Sequence, residues 1–212
     1  MSSIAQKTYT ATTPLKVAFL GLGAMGYPMA GHLQRAGFDV TVYNRNPAKA
    51  QTWVEEFGGR SATNPSLAVQ GADIVLACVG NDDSLREVTY GENGAFQGMK
   101  IDSIFVDHTT ASAEVARELY GAARTLGLRF IDAPVSGGQA GAQNGQLTVM
   151  CGGDAAAFAV MQPVALCFAR AVTLLGDSGS GQLAKMVNQI CIAGLLQGLA
   201  EGIAFGQRAG LD

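Results

Sequence analysis

The sequence predicts an α/β fold, a doubly wound and mostly parallel sheet followed by one long helix. Three observations lead there. Short apolar runs alternate with helical patterns from Leu15 to about Gly127. Several runs, ADIVLACV at 72–79 among them, are apolar at every other position and at the positions between, as strands covered on both faces are. After about Gly176 the alternation stops, and one largely apolar helix opens at Gly181.

Taken in order, KVAFL (16–20) reads as a strand and MGYPMAGHLQRAG as a helix ending at Gly37, a natural C-terminal cap. DVTVYN is a second strand, and PAKAQTWVEEFG is a helix with Pro47 in its first turn. ADIVLACV and SIFVDHTT are buried strands, and SAEVARELYGAARTLG is an amphipathic helix. LRFIDAPV, QLTVMCGG and AVTLLG complete the strands. Residues 1–14 are polar, lack the apolar core of a signal peptide, and are expected to form a flexible tail.

Composition narrows the function. A net charge of −3 gives no reason to expect nucleic acid or an anionic membrane as partner. Cys78, Cys151, Cys167 and Cys191 stand far apart in apolar surroundings, with no CxxC or Cys/His spacing, so no metal site is expected. Free thiols fit a reducing, cytoplasmic setting. The final helix carries Lys185 near its start, with glycines, amides and Glu201 further on, which argues against a membrane span. A helix this apolar calls for a covering surface. The expectation is that the chain is a piece of a longer protein, with a self-docking dimer as the alternative.

Gly21, Gly23 and Gly26 have G-x-G-x-x-G spacing directly after the first strand and at the opening of a helix. The first glycine permits the tight turn, the second lets backbone approach a pyrophosphate, and the third lets helix and strand pack closely. Helix N-terminal amides complete an anion cradle. This is the Rossmann-type context, and it assigns a nicotinamide dinucleotide to Gly21, Gly23, Ala24, Met25 and Gly26. Val79 and Gly80, at the end of the 72–79 strand, are assigned to the same cofactor. At the end of the second strand stand Asn44, Arg45 and Asn46 in place of the carboxylate that would hold NAD ribose hydroxyls. Arg45 could pair with a 2′-phosphate, so NADP is expected, with NAD the alternative. Asp39 lies too early in the strand to serve.

Ser136, Gly137 and Gly138 follow Pro134 after another strand. A hydroxyl and two unobstructed N–H groups would suit a carboxylate. An ordinary helix cap by Ser136 explains the same residues equally well. Lys185, Asn188 and Gln189 share one face of the last helix, at i, i+3 and i+4.

GLGAMGYPMA, DAPVSGGQAGAQNG and GSGQLAKMVNQ, in that order, resemble the β-hydroxyacid dehydrogenases. That family includes 3-hydroxyisobutyrate dehydrogenase, tartronate semialdehyde reductase and glyoxylate/succinic semialdehyde reductase, and is related to 6-phosphogluconate dehydrogenase. The resemblance runs from about Lys16 to Asp212. It implies a dinucleotide-binding Rossmann domain over 15–177. It also implies that 178–212 is the first long helix of an all-helical second domain that closes the cleft and builds a homodimer or tetramer. By the same resemblance Lys185 is the catalytic general acid/base, Ser136, Gly137 and Gly138 hold the substrate carboxylate, and Thr109 and Thr110 lie beside nicotinamide and substrate. Many members carry Asn four residues after the lysine. Here that place is Gln189, with Asn188 just before it, as in the tartronate semialdehyde reductase branch. The implied activity is NADP-dependent hydride transfer between nicotinamide and a small β-hydroxy acid or its semialdehyde. The alternative is a non-catalytic dinucleotide-binding or oligomerisation module on the same fold. An imine reductase is disfavoured by the lysine. His108, His32, Trp53 and Cys78 are read as structural.

Overall fold

The computed structural model describes residues 4–10 and 15–211. The first strand, β1 (Lys16–Leu20), leads into α1 (Gly26–Arg35), and β2 (Asp39–Tyr43) into α2 (Pro47–Phe57). A two-residue β3 (Arg60–Ser61) and a short α3 (Pro65–Ala68) precede β4 (Ile74–Ala77), α4 (Asp82–Tyr90) and α5 (Ala95–Gly98). Then come β5 (Ile104–Asp107), α6 (Ala113–Thr125), β6 (Arg129–Asp132), β7 (Val135–Ser136) and α7 (Gly138–Gln143). The last elements are β8 (Leu147–Gly153), α8 (Ala155–Ala165), β9 (Ala169–Leu174) and α9 (Ser180–Arg208).

The sheet order is β3-β2-β1-β4-β5-β6-β8-β7, with β9 on β8. The first six strands pair in parallel. β8 then turns antiparallel to β6, and β9 runs parallel to β8. This is the Rossmann order, in which the chain reverses direction of winding between β1 and β4. A ligand crevice is expected outside the carboxyl ends of those two strands, where Gly21 and Cys78 begin their loops.

Alternate strand residues feed two separate cores, which explains the uninterrupted apolar runs. Val17, Phe19, Ile74, Leu76, Ile104 and Val106 face α1, α2 and α8, with Trp53 fully buried among them. Ala18, Leu20, Val75, Ala77 and Phe105 face α3, α4 and α6. Each large side chain removed from water in this way stabilises the fold by about 1.5–3 kcal/mol.

Three features differ from the sequence expectation. Residues 4–10 are not a free tail: Ile4 is buried, and Lys7 Nζ donates to the carbonyls of Gly145, Leu166, Cys167 and Ala169 at 2.9–3.3 Å. Tyr9 adds a 2.8 Å hydrogen bond to His32 Nδ1. Converging main-chain oxygens hold the ammonium and, through it, the segment; residues 1–3 and 11–14 of the expected tail lie outside the described residues. LRFIDAPV is broken into β6 and β7, because β8 leaves β6 after Asp132 and picks up Val135 and Ser136. Cys191 is exposed on α9, whereas Cys151 and Cys167 are buried.

Only the start of α9 is seated in the body. Gly181, Gln182 and Lys185 are buried, while Val187, Ile190, Leu195, Leu196, Leu199, Ile203 and Phe205 are exposed. By length and composition alone, Ser180–Arg208 would also suffice to cross a membrane.

Candidate active site

The crevice at the β1–β4 switch point is a cleft of about 770 Å³. Gly21, Gly23, Ala24, Met25, Asn44, Arg45, Val79 and Gly80 all line it. Gly26 does not; it lies beneath, and its role is packing. A Cβ there would overlap the carbonyl oxygen of Gly21 and come within 2.9 Å of the Phe19 ring. Gly21 has φ +96°, and a Cβ on it would overlap the Cys78 carbonyl oxygen. Gly23 faces open space, which leaves its backbone free to approach a ligand. The N–H groups of Gly23, Ala24 and Met25 meet no acceptor among the described residues, and α1 carries no acidic residue in its first turn. Unspent donors at a helix N-terminus are an anion site.

The rim beside β2 is cationic. Arg45 and Lys49 line the cleft and have no ion-pair partner among the described residues. Lys49 was missed in the sequence because it sits one turn into α2. Its signal was the i+4 spacing from Arg45 across a proline-started turn. Asn44 serves the protein first: its Oδ1 accepts from Leu22 N at 2.9 Å, and its Nδ2 donates to the Asn46 carbonyl at 2.9 Å. It thus ties the glycine loop to the Arg45 loop. Asp39 pairs with Arg60 instead of facing the cleft.

Thr109 is buried and bonded into the same region. Its Oγ1 accepts from Val79 N at 3.1 Å, which fixes the loop after β4. Thr110 is exposed at the surface beside it. His108 is fully buried; its Nδ1 donates to the Ala133 carbonyl at 2.7 Å, which leaves Nε2 without a partner among the described residues. Burial drives its pKa down to about 4, so the ring stays neutral at ordinary pH and is no proton carrier there. Burial likewise pushes the Cys78 thiol up to about 12, which makes it inert.

At the lysine end, Asp132 is the pivot. Its Oδ1 accepts from Gly179 N at 2.7 Å and its Oδ2 from Gln182 N at 3.0 Å, so a buried carboxylate caps the N-terminus of α9. The approach is close enough to require glycine on both sides. A Cβ on Gly181 would overlap the Met150 carbonyl oxygen and lie 2.8 Å from Asp132 Oδ2. One on Gly152 would lie 2.7 Å from Asp132 Oδ1. One turn later Lys185 is 8% exposed, and no hydrogen bond or ion pair engages its ammonium among the described residues. Burial lowers its pKa from the ordinary lysine value. Asp107, also buried, is pushed up to about 7: removal from water raises it, hydrogen bonds from Thr109 oppose that, and the Asp132 charge adds to it.

The carboxylate-loop candidates lie further along the same edge of β8 that Asp132 pairs with. Ser136 belongs to β7, pairs with Thr148, and its hydroxyl has no partner among the described residues. It does not cap α7; Gly137, at φ +130°, occupies the cap position, and Gly138 follows at φ +62°. On α9, Asn188 Nδ2 donates to Gln189 Oε1 at 3.2 Å, and Gln189 is exposed. Among the described residues no side-chain hydrogen bond joins Ser136–Gly138 or the two amides to Lys185. The sequence reading missed Asp132, Gly152 and Gln182, which make no recognisable spacing. Among the described residues no group of three or more His, Cys, Asp or Glu is placed to hold a metal.

Residues 16–176 match the NAD-binding domain of 6-phosphogluconate dehydrogenase. An uncharacterised oxidoreductase of Shewanella frigidimarina is 61% identical over 93% of this chain and 68% of its own. The 3-hydroxyisobutyrate dehydrogenase of Pseudomonas aeruginosa is 37% identical over 92% of this chain and 65% of its own. The chain belongs to the β-hydroxyacid dehydrogenase family. The solved 3-hydroxyisobutyrate dehydrogenase of Mycobacterium tuberculosis, bound to L-serine, superposes with a TM-score of 0.88 at 30% identity. It covers 94% of this chain and 67% of that one. The chain thus spans about two thirds of the length of these β-hydroxyacid dehydrogenase relatives. Its nicotinamide-cofactor cleft lies wholly within the matched residues.

Proposed function

We propose that this chain carries the cofactor cleft and the proton-transfer lysine of an NADP-dependent oxidoreductase acting on a small β-hydroxy acid or its semialdehyde. The observation that carries the reading is Lys185, whose side chain is largely buried and whose ammonium has no partner among the described residues, on a helix fastened to the Thr109 loop. An amine partly withdrawn from water and left without a partner costs the fold some stability, and a group taking a proton to and from substrate is a reason to keep it. Hydride passes between nicotinamide and the carbonyl carbon, and Lys185 gives the proton to the oxygen in reduction and takes it in oxidation. Ser136, Gly137 and Gly138 would receive the carboxylate, with Asn188 and Gln189 as further polar contacts. Thr110 would lie beside the nicotinamide. Gly23, Ala24 and Met25 would hold the pyrophosphate. Arg45, with Lys49 near it, would pair with a 2′-phosphate. The exposed apolar face of α9 would be covered by further helical protein in a homo-oligomer. Residues 15–177 would form one domain and 178–212 the start of the next.

The test is a titration of NADPH and NADH into the native chain and Arg45→Ala. The expected result is NADPH binding weakened about tenfold or more, the order of one charge-assisted pair, with NADH nearly unchanged. Equal affinity for both cofactors, indifferent to Arg45, would overturn the NADP assignment. No binding of either would favour a non-catalytic module.

A further inference from the structure

One carboxamide fastens the lysine helix to the cofactor side of the site. Gln182 is fully buried. Its Oε1 accepts from Ala111 N at 3.1 Å. Its Nε2 donates to the Thr109 carbonyl at 2.7 Å and lies 3.5 Å from Asp107 Oδ2. Lys185 follows at i+3, on the same face of the helix. Thr109 in turn donates its N–H to Asp107 Oδ1 at 2.8 Å and accepts at Oγ1 from Val79, whose loop lines the cleft. A continuous bonded path therefore runs from Val79 through Thr109 to Gln182, and one helical turn separates its end from the ammonium.

The position demands a group that donates to one backbone oxygen and accepts from one backbone nitrogen without charge. Glutamine meets that demand. A carboxylate there would lose the donor and face Asp107, and an apolar side chain would leave Thr109 O and Ala111 N unpaired in the interior. Asp132 fixes the same turn from the β6 side, but it contacts only the helix backbone. Among the described residues, Gln182 is the side chain of α9 that hydrogen-bonds the Thr109–Ala111 segment.

We propose that Gln182 is the positioning residue for Lys185, setting the ammonium in register with the Thr109–Thr110 loop. This rests on the reading of Lys185 as the proton carrier. Gln182→Met, close in length, removes both bonds. Gln182→Glu keeps the acceptor and removes the donor. Each is compared with the native full-length protein in NADPH affinity, in kcat and KM with succinic semialdehyde, and in the acetylation rate of Lys185 by acetic anhydride. Expected are an NADPH Kd within about twofold of native, a KM within about threefold, and a kcat lowered by about tenfold to a hundredfold, the scale of an ångström misplacement. The Lys185 acetylation rate in the NADPH complex should change in both variants. If Gln182→Met fails to fold, Gln182→Glu carries the comparison. Native kcat and native Lys185 labelling in either folded variant would overturn the proposal. So would a loss of activity matched by an equal loss of NADPH affinity, which marks a general structural role. Full activity in Lys185→Met would instead overturn the proton-carrier reading, and the labelling would still report whether Gln182 places the lysine.

Discussion

At the dinucleotide end of the site, backbone touches backbone. Gly21 approaches the Cys78 carbonyl and Gly26 the Gly21 carbonyl, and nothing but hydrogen occupies the gap. At the lysine end the approach is as close, between Gly152, Gly181 and the chain around Asp132, but a buried carboxylate fills it. The first end leaves the N–H groups of Gly23, Ala24 and Met25 without an acceptor among the described residues and faces open space. The second spends the first N–H groups of α9 on Asp132 and the Gln182 amide on the Thr109 carbonyl, and leaves the Lys185 ammonium without a partner among the described residues. The difference follows from what each end has to do. An anion cradle needs donors waiting for a ligand, whereas a proton carrier needs one group held still and everything around it satisfied.

The sharpest way to break this comparison is one added methyl group at each end. Gly26→Ala drives a Cβ into the Gly21 carbonyl and should abolish measurable NADPH binding, while the Lys185 environment survives. Gly181→Ala drives one into the Met150 and Asp132 carbonyls and should do the reverse. It should unseat α9 and change Lys185 labelling by severalfold, with NADPH affinity near native. Calorimetric titration and amine labelling of the two variants check it. Loss of cofactor binding in both would mean the two ends fold as one unit.

A smaller effect tests the charge at the lysine end. Asp107 is held at about 7, well above the ordinary aspartate value, so its protonated form is the one the fold prefers. That contribution is fully present below the ordinary aspartate pKa and is lost as pH rises through about 7. In urea unfolding Asp107 should therefore contribute a fall in stability from about pH 4 to pH 7, set against an opposite rise from His108, whose pKa burial lowers to about 4. Asp107→Asn should flatten that slope and gain on the order of 2 kcal/mol over native at pH 8. An unchanged slope would show that Asp107 does not titrate there.

The sequence and the structure agree where the information is local. The strand at 16–20, the helix opened by Gly26 and the Pro47 helix sit where the pattern put them, because period, glycine spacing and proline act over a few residues. The polar α4 was not foreseen, since its Asn81 cap and two leading aspartates read as loop chemistry. The seat of Lys185 was not legible at all. Asp107, Asp132 and Gln182 are separated by 25 to 75 positions, and only the β5–β6–β8 arrangement brings them together. The attachment of residues 4–10 was hidden for the same reason: the carbonyls that hold Lys7 come from residues 145–169.

The account turns on Lys185, and the most direct measurement is the pH dependence of kcat/KM for NADPH-linked reduction of a carboxylate-bearing semialdehyde. It compares the native full-length protein with Lys185→Met. Reduction needs the protonated amine, so the native rate should fall on the alkaline side, with a midpoint below the ordinary lysine pKa because burial lowers it. In Lys185→Met the rate should drop by about a hundredfold or more, the alkaline fall should vanish, and NADPH binding should remain. A variant that keeps the native rate and the native alkaline fall would contradict the account.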